Sequence, residues 1–221
     1  MNAFIISDKD YQTEMFYCLD EAVSSCLKER GFDTEHREIG RKEITSCMGC
    51  FGCWIKEPGE CVMKDGMAEI NQKCMNSDIV VYLSPIVFGQ FSANIKNVID
   101  RWLPNMLPFF ISRPDGSTIH SARYKTYPMQ FIIGYGDGIS QEDSELFVDI
   151  TKKHRTNVEA LVFQGNVKEI SDVFKFAHTG NAIPCPACFK IGYRQRSQMA
   201  EQSGSQLHID AAGRMREDVS A

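Results

Sequence analysis

Hydrophobic and polar positions switch rhythm repeatedly along this chain. NAFIIS, residues 2–7, is a short apolar run of strand type. EMFYCLDEAVSSCLKERGF then changes to a helical period that puts Met15, Leu19, Ala22, Val23, Cys26 and Leu27 on one face, with Gly31 as the stop. FDTEHREI returns to a strand pattern. Beyond a cysteine-rich loop, DGMAEINQKCMNS predicts a short helix. DIVVYLSP is almost continuously apolar, as a central parallel strand is when both faces are covered, and it ends at Pro85. QFSANIKNVIDRWL is helical, with Phe91, Ile95, Val98, Ile99 and Trp102 spaced for burial, and YPMQFIIG is another buried strand, stopping at Gly134. SQEDSELFVDITKKHRT opens with a serine and acids, as helices do. VEALVF supplies a fifth strand and VKEISDVFKFA a closing helix. The alternation predicts an α/β fold: a doubly wound, five-stranded parallel sheet in three layers.

Two segments break the rhythm. Pro104 to Thr126, with three prolines and Asp115-Gly116, reads as a long loop, and the chain after His178 has no clear period. The expected organisation is a domain over residues 1–177 and a C-terminal extension over residues 178–221, whose role composition does not decide among a docked extension, an arm around another subunit and a disordered tail. The formal charge of -5, with scattered basic residues, gives no electrostatic footprint for nucleic acid or an anionic membrane surface. No apolar run reaches the roughly 20 residues that span a bilayer, and MNAFIISDKD lacks a cationic lead, so the expected location is the cytoplasm. The histidines are dispersed, and no GxSxG, Walker loop or paired-carboxylate motif points to a hydrolase or kinase. Lys152-Lys153-His154-Arg155 suits the end of a helix dipole and a solvated face.

In an open parallel sheet, ligands sit beyond the carboxyl ends of the strands where strand order reverses. The loops to inspect are Ser7–Thr13, the cysteine loop, Ser84–Phe91 and Gly134–Ser140. SPIVFGQF offers Phe88 and Phe91 as flat apolar surface and Gly89 for close backbone approach. GYGDGIS offers three glycines, hence bare backbone. A planar ring fits between two such loops.

SPIVFGQFSANIKNVIDRW resembles the flavin-contacting segment of the flavodoxin-like NADPH-dependent FMN reductases. CMGCFGCWIKEPGECVMKD is similar to the cysteine loop of the iron-sulfur flavoproteins within that family, where CxxCxxC is followed by a fourth cysteine; here seven residues separate Cys53 from Cys61. The resemblance covers roughly residues 1 to 165. It implies a flavodoxin-like FMN-binding domain, an FMN-dependent oxidoreductase or electron-transfer flavoprotein with NAD(P)H as electron donor, a redox partner or small-molecule acceptor, and assembly as a homodimer or homotetramer. Carried over by position, Pro85, Ile86, Val87, Phe88 and Gly89 border the isoalloxazine, and Gly134, Tyr135 and Gly136 form the other ring-side loop. Val87 stands where the family usually has tyrosine. On the phosphate side, SDKDYQTEM replaces the family's GSPR and asparagine-threonine pair. Ser7, Tyr11, Gln12 and Thr13 can donate to a phosphate at a helix N-terminus, but Asp8 and Asp10 add negative charge, which Lys9 only partly offsets.

The residues at the cysteines leave three alternatives. Cys47, Cys50, Cys53 and Cys61 form a triplet plus one, a spacing that favours a 4Fe-4S cluster over zinc. A zinc site would recruit Cys185 and Cys188 of PCPACF, and thiols in a loop shaped only by packing are the third reading. Cys18, Cys26 and Cys74 fall beside apolar residues and read as core. The rival to the oxidoreductase is a noncatalytic flavodoxin-like binding module with a lost FMN site and a zinc-bound or free cysteine loop.

Overall fold

β1 (Asn2–Asp8) buries every residue from Ala3 to Asp8, which requires cover on both of its faces. In the computed structural model, which describes residues 1–154, 157–175, 207–209 and 215–217, it lies inside a parallel sheet. Helix α1 (Glu14–Glu29) follows; Thr13 opens it by accepting the Phe16 amide, and Gly31, at φ 79°, ends it. The remaining elements are β2 (Asp33–Ile39), α2 (Gly52–Ile55), α3 (Met67–Met75), β3 (Ile79–Val87), β4 (Gln90–Phe91), α4 (Ala93–Asp100), β5 (Met106–Ser112), β6 (Thr118–Ala122), β7 (Met129–Tyr135), α5 (Gln141–His154), β8 (Val158–Phe163), α6 (Val167–Val173), β9 (Leu207–Ile209) and β10 (Met215–Glu217).

The five expected strands pair in parallel in the order β2-β1-β3-β7-β8, with β4 folded back antiparallel onto the end of β3. From β1 the chain steps outward to β2 and then returns to the other side as β3, so strand order reverses between β1 and β3. One layer is the α1 and α6 side, where Phe16, Leu19, Val23, Leu27, Ile170 and Phe174 pack on Ile5, Val81, Leu83 and Ile133. The alternate strand residues Phe4, Ile6, Val80, Tyr82 and Ile132 are buried as well, on the side covered by α4 and α5. Cys26 and Cys74 are buried as expected, whereas Cys18 is exposed, because the apolar stripe of α1 runs through Leu19 and leaves the residue before it outside. The ends expected for α5, at Thr156, and for α6, at Ala177, lie outside the described residues, as do the domain boundary after residue 177 and most of the extension.

The described chain divides into two compact units: Met1–Gly49, Met63–Trp102 and the described residues from 127 to 175 form the first, and Cys50–Val62, Leu103–Thr126 and the strands β9 and β10 belong to the second. The second corrects one expectation. Pro104 to Thr126 is not a loop but mainly an antiparallel hairpin of β5 and β6. Pro108 sits where the register shifts between Met106 and Phe110, a place where a strand tolerates proline, and Gly116, at φ 82°, makes the turn with Asp115 bonded to the Ser117 amide. The Trp54 indole N–H, just inside α2, donates to the Met106 carbonyl at 2.9 Å; its ring lies 4.8 Å from that of His120, which in turn lies 4.5 Å from Phe110. β9 and β10 pair antiparallel. No described helix is long and apolar enough to cross a membrane.

Candidate functional site

The reversal of strand order places three loops on one edge of the sheet: β1 to α1, the β3–β4 hairpin, and β7 to α5. At the first, Ser7 is buried and Asp8 has no exposure at all, yet its carboxylate is fully served. Oδ1 accepts from the Asp10 amide and from Asn94 Nδ2, both at 2.9 Å, and Oδ2 accepts from the Ser92 hydroxyl. Asn94 also donates to Asp10, at 3.0 Å. Ser92 is the N-cap of α4, and Asn94 lies in its first turn, so Asp8 supplies the anion that a helix N-terminus attracts. Gln12 is bonded to Glu38 and Tyr17, and the Thr13 hydroxyl is used as the α1 cap.

The ring-side loops divide sharply. Phe88 and Gly89, at φ 51° and 68°, form the tight turn between β3 and β4, and Phe88 stands 92% exposed at its tip, above half-buried Ile86 and Val87 and buried Pro85. Phe91, expected as ligand surface, is instead core, its ring 5.0 Å from Phe147. Gly134 is not bare backbone for a ring, since a Cβ there would lie 2.6 Å from Ile86 and 2.8 Å from Phe147. Tyr135 is buried against Phe16, and its hydroxyl donates to the Tyr11 carbonyl at 2.9 Å, tying the β7 end to the β1 loop. Burial, and then the charge of Asp8, hold its phenol far above the ordinary range, so it stays a donor. Gly136 is half-buried beside Ile139.

The segment carrying the cysteines is fastened at both ends. Arg101, 2% exposed, donates to the Asp65 carboxylate and, at 3.2 Å, to the Thr45 carbonyl. The Thr45 and Met67 amides donate to the same carboxylate at 3.1 and 3.2 Å. Asn97 donates to the Ile44 carbonyl at 3.1 Å and accepts from Ser46 at 2.9 Å. Burial pushes the Asp65 pKa up, but the Arg101 hydrogen bond, the two amides and the guanidinium charge together hold it below 3.8. Sequence reading placed Arg101 at a helix end and missed this role, because its partner Asp65 is distant in sequence and nothing local announces the contact. Farther along, Gly49 and Phe51 adopt positive φ, 63° and 55°, and Val62 fills the space that a Gly52 side chain would need. Cys47 and Cys50 are exposed, and Cys53 and Cys61 are half-buried. Among the described residues, no three His, Cys, Asp or Glu side chains are gathered into a metal-binding group. Cys185 and Cys188 lie outside the described residues.

The sequence model of the NADPH-dependent FMN reductases matches residues 17–110, which run from α1 through α4 into the hairpin. Over that segment the chain is similar to the NADPH-dependent FMN reductases. Curated relatives of this family segment include an iron-sulfur flavoprotein of Archaeoglobus fulgidus, 40% identical over 86 residues (39% of this chain, 38% of the relative). Others come from Methanocaldococcus jannaschii, 33% identical over 99 residues (45% and 50%), and Methanosarcina thermophila, 34% over 80 residues (36% and 41%). The chain thus spans half or less of the length of these relatives. Among solved structures, the fold is similar to the NAD(P)H:quinone oxidoreductase of Methanothermobacter marburgensis (TM-score 0.54, 15% identity, 81% of this chain and 95% of that one) and an azoreductase of Bacillus anthracis (0.51, 15%, 80% and 99%). Both confirm the flavodoxin-like fold expected of the family. Asn97, Arg101 and Asp65, which fasten the cysteine segment, all fall in the matched region.

Proposed function

We propose that this chain is an NAD(P)H-dependent flavin oxidoreductase of the FMN reductase family, and that its cysteine segment carries a 4Fe-4S cluster for electron transfer. The observation that carries the reading is the reversal point between β1 and β3, with the Phe88–Gly89 turn rising beside it, in a chain whose matched segment is related to iron-sulfur flavoproteins. The two ends of FMN fare differently against the residues. The ring end suits the apolar tip made by Pro85, Ile86, Val87 and Phe88. The phosphate end does not suit a loop that carries Asp8 and Asp10 and whose Asp10 amide, with Ser92 and Asn94 of α4, already serves the Asp8 carboxylate.

A bound flavin supplies hydride acceptance and one- or two-electron exchange, so the protein's task is placement. β3–β4 pairing holds the Phe88 turn rigid, and Tyr135 fixes the β1–α1 loop through the Tyr11 carbonyl. The donor set for the cluster is Cys47, Cys50, Cys53 and Cys61: thiolates of the type iron-sulfur clusters use, on a backbone turned by Gly49 and Phe51. Arg101 and Asp65 keep the entry and exit of that segment together. The reading extends to a homodimer or homotetramer acting in the cytoplasm on a small-molecule or protein acceptor.

The test is an absorption spectrum of anaerobically purified protein with iron and sulfide analysis. Flavin bands together with iron are expected, and Cys61→Ser should lose the iron while retaining the flavin. Unchanged iron in that variant removes Cys61 from the ligand set. Failure to take up any flavin, even from excess, returns the chain to the binding-module reading.

A further inference from the structure

We propose that Asp8 and Asp10 make the β1–α1 loop a phosphate-excluding seat, so that the chain takes a phosphate-free flavin in preference to FMN. The inference rests on the flavin reading above and deepens it by naming which form of the ring compound the site selects. At the β1/β3 reversal of this strand order, the phosphate of a bound mononucleotide falls at the loop after β1, where helix N-termini and backbone amides neutralise it. Here an anion of the chain's own already lies beside that loop. The Asp8 carboxylate takes the Asp10 amide, the Asn94 amide and the Ser92 hydroxyl, and through Ser92 and Asn94 it faces the N-terminus of α4. It is a covalently attached anion at a helix N-terminus next to the loop where an incoming phosphate would fall.

The surroundings repeat the sign. Asp10 is exposed and shares Asn94 with Asp8; Glu14 begins α1; and Glu38, paired with Ser7 across the sheet, holds the Gln12 amide. Lys9, the cation within the loop itself, runs its aliphatic stem along Gly40 just past the end of β2, about where a side chain on that glycine would begin. A phosphate dianion brought to this loop meets like charge from Asp8, Asp10, Glu14 and Glu38, and finds the Asp10 amide, the Gln12 side chain and the Thr13 hydroxyl already engaged. A neutral polyol chain meets the opposite situation, because its hydroxyls donate and carboxylate oxygens accept, so Asp10 becomes a partner instead of a barrier.

The experiment is a fluorescence titration of the flavin-stripped full chain with riboflavin and with FMN, at low and high ionic strength, in the wild type and in Asp10→Asn. Riboflavin should bind about tenfold or more tightly than FMN at low ionic strength, with the gap narrowing in salt and in Asp10→Asn. Asp10 is exposed, so this variant leaves the fold intact, and the wild-type comparison needs no variant at all. FMN binding as tightly as riboflavin, or more tightly, overturns the proposal while the flavin reading stands. A gap that Asp10→Asn leaves unchanged also overturns it, by removing the charge as its cause. If neither flavin binds, both readings fall.

Discussion

The two ends of α4 hold two loops of opposite design. At its N-terminus, Ser92 and Asn94 close the β1–α1 loop around Asp8, a carboxylate that satisfies neutral donors and leaves net negative charge at the sheet edge. At its C-terminus, Asn97 and Arg101 close the entry and exit of the cysteine segment around Asp65, a carboxylate matched by a guanidinium. The first arrangement sets a carboxylate at a helix N-terminus, the kind of place that attracts anions. The second holds chain to chain and leaves Cys47 and Cys50 exposed beyond it. One eight-residue helix therefore closes a loop around a carboxylate at each of its ends.

Breaking the charged end should cost most. Arg101→Met leaves the Asp65 carboxylate, with its side chain 17% exposed, without its cation and deprives the Thr45 carbonyl of a donor. A loss of about 3 kcal/mol in urea unfolding is expected, with the iron of the proposed cluster lost in parallel. A loss well under about 1 kcal/mol would mean the amides of Thr45 and Met67 hold the segment unaided. Because the folded Asp65 pKa is depressed, the stability it contributes is present above 3.8 and disappears only as pH falls below that value. Breaking the neutral end should cost less. Asp8→Ala strands the Ser92 hydroxyl in a buried setting and leaves the Asn94 amide only its bond to Asp10, for about 2 kcal/mol in the same measurement. Asp8→Asn, which keeps an acceptor oxygen, should recover part of it; if both variants match the wild type, the network is incidental to folding.

The sheet was legible because its strands are long apolar runs buried on both faces, and YPMQFIIG or DIVVYLSP admits few other fates. The two loops were legible only as composition. Asp8 and Asp10 stood out as wrong for a phosphate, but their partners Ser92 and Asn94 lie on another helix, and nothing local announces such a contact. Asp65 and Arg101 are hidden for the same reason. Gly134 misled because a glycine that admits Ile86 and Phe147 reads the same in sequence as one that admits a ligand. Pro108 disguised β5, since a proline at a register shift reads as a break, and the four residues of α2 are too few to show a period.

The smallest expected effect sharpens the contrast by pH. Within the second unit, Trp54 is held by the Met106 carbonyl and stacks near His120, which Phe110 covers from another side. Burial drives the His120 pKa below 6.5, against a weaker opposing hydrogen bond with the Leu107 backbone. Since the folded value is the lower one, the unfolded chain takes up the proton first. The stability that neutral His120 contributes is therefore complete above about pH 6.5 and declines as pH falls from there through the folded pKa. Asp65 is unaffected over that window, so the anchor should persist while the aromatic stack loosens. Tryptophan fluorescence followed from pH 8 to pH 5 should change in the wild type, through Trp54 and not the buried Trp102, with a loss of stability below about 1 kcal/mol. His120→Gln should flatten the profile, because the amide does not titrate. A wild-type profile that is already flat, or one that His120→Gln leaves intact, would place the pH response elsewhere and remove His120 as the point where the cysteine-bearing unit yields to acid before the sheet edge does.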